Sequence, residues 1–148
     1  MSYLLVGILL ALPLYGLPMG LLQAFLELTL LIVFTRAVLQ IAGHRERYTQ
    51  TLIALAGTGV IFGLLSMPLV YSIAGQGAAK ASTVDGFTLR TYTLILAWLV
   101  VVYGHVFRHA LSSGILTGLL VALGYVILTS MVINTVLPPP GLMHTHVE

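Results

Sequence analysis

The sequence predicts an all-α integral membrane protein, a bundle of five transmembrane helices of which the first is short and need not cross fully. Three observations carry that prediction. Hydrophobic residues make up 59% of the chain and charged residues 7%, with a mean hydropathy of +1.07, whereas about a quarter of residues are charged in soluble domains. Apolar runs of the length that crosses a hydrocarbon core, about 20 residues each, nearly exhaust the 148 residues and leave no room for a soluble domain. Between two of the longest runs lies a polar island, Gln40 to Gln50, holding His44, Arg45, Glu46 and Arg47, which must sit in water.

The elements follow in order. Residues 3–17 make a first segment that either spans without tilt or rests at the interface. No basic region precedes it and no small-residue cleavage site follows it, so it is expected to belong to the mature chain. Pro13, Gly16 and Pro18 mark a reversal of chain direction, because proline removes a backbone donor and clashes with the preceding helical turn. The second span, 19–42, contains Gln23, Glu27 and Arg36. Gln23 and Glu27 are four apart and share a face, whereas Arg36 falls on nearly the opposite side. Arg36 is close enough to the polar island to snorkel into it.

The third span, 51–74, carries Gly59 and Gly63, a small-xxx-small pair that lets another helix approach closely. Pro68 is expected to kink its far end. The connection from Gly75 to Gly86 is rich in glycine, alanine and small polar residues and reads as a flexible loop. The fourth span, 87–110, carries Trp98, Tyr103, His105, Arg108 and His109. Leu111-Ser112-Ser113-Gly114 is a tight connection whose serine is expected to cap the next helix. The fifth span, 114–137, has no ionisable residue, shows Gly114 and Gly118 at helical spacing, and ends at Pro138. A short tail, 142–148, completes the chain.

Orientation follows from the excess of Lys and Arg in cytoplasmic loops. Arg36, Arg45, Arg47 and Arg108 gather on one side; Lys80 and Arg90 lie on the other. The island at 43–50 is therefore expected in the cytoplasm and the C-terminus outside, in a bacterial inner membrane. Membrane lipids, other integral membrane proteins and further copies of the chain are the expected partners. Six basic residues scattered over the chain make no nucleic-acid footprint.

Chemistry has few places to reside. There is no cysteine, which excludes disulfides, thiolate metal sites, iron–sulfur clusters and cysteine nucleophiles. Glu27 is the sharpest single residue, because an ionisable group inside a span is costly and faces protein or a watery cavity. By the helical rise its depth matches that of Ser66 on the third span, so Gln23, Glu27 and Ser66 form the intramembrane polar set. It reads as a proton or cation site, or as a hydrogen-bonded carboxyl that fixes helix packing. His105 and His109 share a helix face, with His44 on the same side of the membrane. Such a pair can chelate a metal or bind haem iron, yet no carboxylate accompanies it at metal-motif spacing, and no cofactor is expected. His144 and His146 with Glu148 make a weaker metal signal. No nucleotide-cradling glycine loop and no nucleophile with its base is present, so an enzyme acting by itself is not expected.

The run from Leu39 to Gly59, with Ala42-Gly43-His44-Arg45-Glu46-Arg47-Tyr48 near its start and Met67-Pro68-Leu69 beyond it, resembles small bacterial membrane proteins related to the Yip family, the Rab-GTPase-interacting proteins of eukaryotic secretory membranes. Trp98 to His109, with Tyr103-Gly104-His105 and Arg108-His109, is similar to the next helix of those proteins. The resemblance covers roughly two thirds of the chain and implies five spans with the N-terminus in and the C-terminus out. It implies no catalytic residues, and for the eukaryotic members a role in vesicle traffic through protein contacts. Family members carry a polar region before the first span, where this chain begins directly in apolar sequence.

Glycine spacings, little extramembrane surface and no independent active site together predict a non-catalytic accessory or scaffolding subunit of a larger membrane assembly. Two alternatives stay open: a small homo-oligomeric transporter or channel using Glu27, and a haem- or quinone-associated redox subunit using His105.

Overall fold

The computed structural model describes residues 2–75 and 86–136. The glycine-rich connection with Lys80, the proline run, and the tail with its histidines lie outside the described residues. Within them the fold is an all-α membrane bundle: α1 (Ser2–Ile41), a single 3-10 turn at Arg45–Arg47, α2 (Tyr48–Gly75), α3 (Gly86–Ala110) and α4 (Ile115–Val136). Four segments are long and apolar enough to cross a membrane, Pro18–Ile41, Arg45–Ser72, Gly86–Ala110 and Ile115–Val136. Their outward faces are lipid-like, with Phe25, Val33, Ile61, Leu94, Trp98 and Leu116 all exposed.

The expected reversal near Pro13 to Pro18 falls inside α1, which extends from Ser2 to Ile41. It is not one straight rod. A Cβ placed on Gly7 would lie 3.2 Å from the Ala24 Cβ, and one on Gly20 would lie 3.3 Å from the Ala11 Cβ. Residues 17 positions apart would be about 25 Å apart along a straight helix. The two pairs close inward by four residues on each side, which is the signature of an antiparallel hairpin. α1 therefore has a short arm, Tyr3–Leu12, and a long arm, Pro18–Ile41.

The short arm does not make a fifth crossing. Its Tyr3 ring lies against Gly59, Val6 and Leu10 lie against Gly63, and the Tyr71 hydroxyl donates to the Leu9 carbonyl at 3.2 Å. The arm thus runs parallel to α2, starting level with Gly59, about 16 Å along α2 from Tyr48. It occupies only the half of the bundle remote from the polar island. Its described part, Tyr3–Leu12, is about 15 Å long, shorter than a crossing needs. We call the two membrane faces the loop face, at residues 41–48 and 110–115, and the distal face.

The loop-face half is closed by packing. Leu31 and Phe34 of the long arm, Leu55 of α2, Phe107 of α3, and Ala122 and Tyr125 of α4 form one apolar cluster. Phe34 meets Phe107 edge-on at 6.1 Å and Tyr125 at 5.3 Å between ring centroids. α3 and α4 come closest where Gly104 faces Leu119 and Gly118 faces the Gly104 carbonyl and Arg108 backbone, leaving no space for a Cβ at either glycine. In lipid, where no hydrophobic force drives helices together, such close backbone approach holds a crossing through dispersion and weak Cα–H···O contacts.

Two matching turns end helices at this face. After α1, Gly43 adopts φ +77°, with hydrogen bonds from Gly43 N to Gln40 O and from His44 N to Leu39 O. After α3, Ser112 adopts φ +50°, with bonds from Ser112 N to His109 O and from Ser113 N to Arg108 O. Both are Schellman closures, in which a left-handed residue, usually glycine, lets the chain satisfy the last carbonyls. The expected serine cap of the last helix is thereby corrected. Ser112 belongs to the end of α3, and the Ser113 hydroxyl has no hydrogen-bond partner among the described residues.

The turns brace each other. Arg47 Nη1 donates to the His109 carbonyl at 2.9 Å and to Ser112 Oγ at 2.6 Å, and His44 Nε2 lies 3.2 Å from the Leu111 carbonyl. A cation on the C-terminal carbonyls of α3 also complements the helix dipole.

Candidate functional site: an intramembrane cavity around Glu27

Above the aromatic plug the helices separate around a cavity of about 410 Å³, within the range of small-molecule sites. It is reached by every helix and by both arms of α1. Its deep end is built by three tyrosines. Tyr103 and Tyr125 lie 5.9 Å apart, and the Tyr103 hydroxyl donates to the buried Leu55 carbonyl at 3.1 Å. Tyr3 joins them from the tip of the short arm. The cavity then extends past Ser66, Thr129 and Ser130 toward Val70, Tyr92 and Asn134. These last three stand within two helical turns of the distal ends of α2, α3 and α4.

Glu27 lines this cavity about 14 Å along the long arm from Pro18. An acidic side chain near a span centre costs about 2.5–3.5 kcal/mol by insertion scales, and its partners here are few. The Gln23 amide donates to Glu27 Oε1 at 2.9 Å, the i, i+4 geometry expected on one helix face. Gln23 Oε1 and Thr129 Oγ1 are buried without a hydrogen-bond partner among the described residues, and both residues line the same cavity. Buried acceptors without partners are uncommon in folded proteins. A polar ligand or water would satisfy them.

Gln23, Glu27 and Ser66 thus meet in one space, although the Ser66 hydroxyl is turned back to the Phe62 carbonyl at 2.8 Å. Sequence spacing does not mark the tyrosines or Thr129 as cavity residues. A signal existed for α4, since Tyr125 and Thr129 repeat the four-residue spacing of Gln23 and Glu27, but only rotation of the helices shows that both pairs face inward.

The other candidate residues fall elsewhere. Gly59 and Gly63 receive the short arm, and Gly118 receives α3. Gly114 departs from its expected contact role: it precedes α4 and has open space around it. His105 and His109 touch, with Nε2 atoms 3.1 Å apart and rings at 4.6 Å, on the exposed loop-face end of α3. His44 does not join them; its Nε2 is turned to Leu111 and its Nδ1 lies 4.0 Å from Glu46. Among the described residues no three His, Asp or Glu side chains converge as a metal site. Arg108 is exposed, and Arg36 and Arg45 line a separate cleft with Gln40 and Tyr48.

No protein-family model, no curated protein and no solved structure matches the chain.

Proposed function

We propose that the protein is a small membrane transporter that takes up a cationic solute from the distal face, with Glu27 as the anchoring carboxylate. The observation that carries this reading is the placement of Glu27 on a polar, ligand-sized cavity closed toward the loop face by the Phe34, Phe107 and Tyr125 plug. A carboxylate together with tyrosine faces suits a small organic ammonium ion. The charge is met by Glu27, and the alkyl groups are met by aromatic surface through cation–π attraction, worth about 2 kcal/mol or more where water is excluded. Gln23 Oε1 and Thr129 Oγ1 supply acceptors for its N–H groups. Opening the aromatic plug would release the solute at the loop face, which we assign to the cytoplasm of a bacterial cell from its excess of arginine.

The accessory-subunit reading draws part of its support from glycine spacings. Gly59, Gly63 and Gly118 are occupied within the chain by Tyr3, Val6 and α3, so their surfaces are not free for a partner helix. That shifts the balance to the cavity.

Reconstitution into proteoliposomes tests the proposal. Wild-type protein should move a radiolabelled small alkylammonium across the bilayer, and Glu27→Gln, which keeps shape and the hydrogen bond from Gln23, should reduce the flux at least tenfold. Equal flux in both would discard the role of Glu27. Absence of flux together with a stoichiometric membrane partner on mild purification would restore the accessory reading.

A further inference from the structure

A second cleft, separate from the cavity, lies at the loop face where the end of α1 meets the start of α2. It has a volume of about 260 Å³ and is lined by Arg36, Leu39, Gln40, Arg45 and Tyr48. Leu39 is fully buried and forms its apolar base, while Arg36, Gln40 and Arg45 are exposed around it. Its charge is uncompensated. Glu27 and Glu46 are the only acidic side chains among the described residues; Glu27 faces the cavity, and Glu46 is nearest His44 at 4.0 Å. Arg47 is engaged with His109 and Ser112, whereas the side chains of Arg36 and Arg45 make no hydrogen bond or ion pair among the described residues. Two guanidinium groups, an amide and a phenol around one cleft match the acceptor-rich, anionic geometry of a phosphate.

The depth and the surroundings indicate where that phosphate comes from. Arg36 lies five residues before the end of α1, about 8 Å below it. An arginine there extends its guanidinium to the headgroup level while its stem stays in the hydrocarbon. Val33 and Gln40 flank Arg36 on its helix face at i−3 and i+4, and Ala37, four residues after Val33, borders that face; Val33 and Ala37 are exposed. An acyl chain can therefore run along α1 directly below the cleft. We propose that this cleft binds the phosphate of one anionic phospholipid headgroup, held by Arg36 and Arg45 with Gln40 and Tyr48 at its rim. A zwitterionic lipid would bring an ammonium to a cleft that already holds two cations, so the site discriminates between headgroups. Basic pockets between spans at a membrane face are known to hold such lipids.

The test uses the full chain in a mild detergent, with native mass spectrometry of added lipid. Wild-type protein should carry one phosphatidylglycerol in preference to phosphatidylcholine of the same acyl chains, by about tenfold or more. The Arg36→Gln/Arg45→Gln variant should lose that preference, and Arg108→Gln, on the same face but outside the cleft, should keep it. Equal binding of the two lipids by wild-type protein would overturn the proposal without reference to any variant, as would an undiminished preference in the double variant. Inorganic phosphate distinguishes the sources. If millimolar phosphate alone raises the melting temperature of wild-type protein as much as phosphatidylglycerol does, and the double variant responds to neither, the cleft is a site for free phosphate and the lipid assignment fails.

Discussion

At the scale of single residues, the floor of the cavity depends on Tyr103, whose hydroxyl reaches across from α3 to the Leu55 carbonyl of α2. That carbonyl is also in reach of its own helical donor, so removing the phenol forfeits one buried bond without leaving an acceptor bare. Tyr103→Phe should therefore lower stability by about 1 kcal/mol, read as a modest fall in melting temperature in detergent; no change would mean that the bond contributes nothing in lipid-like surroundings. Glu27 was legible in the sequence because an ionisable side chain interrupts an otherwise apolar run. The tyrosines were not, since they interrupt nothing. Tyr3, Tyr103 and Tyr125 sit among apolar residues, and what makes them cavity residues is the rotation of each helix about its own axis. That rotation is set by close contacts such as Gly104 on Leu119, which sequence spacing does not encode.

At the scale of elements, glycines decide which surfaces touch. A Cβ at Gly118 would fall on the Gly104 carbonyl oxygen and lie 2.8 Å from the Arg108 backbone nitrogen, and neither can move without separating α3 from α4. Gly118→Ala should cost about 1–3 kcal/mol, as overpacking does. Gly114→Ala, with nothing near it, should leave the melting temperature within about a degree or two of wild type. Comparing the two in one detergent checks the assignment, and equal effects would refute it. The sequence displayed Gly114 and Gly118 as equivalent, four apart on one helix. They differ because α4 begins only at Ile115, a boundary set by the left-handed turn at Ser112, where a serine occupies a place that normally favours glycine. That departure costs about 1–2 kcal/mol, and the Arg47 bond to Ser112 Oγ offsets part of it.

For the molecule as a whole, the lack of cysteine makes the direction of access directly measurable. A single cysteine at Ser66 should react with a membrane-impermeant thiol reagent added to the distal face and not to the loop face, whereas one at Thr51, buried at the loop-face end of α2, should react from neither. Labelling of Ser66→Cys from the loop face would contradict a closed aromatic plug. The composition and the spacing of apolar runs gave the membrane class and the four long spans, since both depend on solvent preference alone. The course of the first segment, 3–17, stays open in the sequence because a run of that length fits a short untilted span or the interface equally well; contacts of Tyr3 and Val6 with Gly59 and Gly63 resolve it. Among the described residues one leaflet then contains four helical cross-sections and the other contains five, the extra one being roughly 10 Å wide. A body broader in one leaflet than in the other is a wedge, and a wedge in a fluid sheet lowers the work of bending that sheet toward its narrow side. Where such molecules gather, the membrane is biased to curve, and where it is already curved in that sense, they are expected to collect.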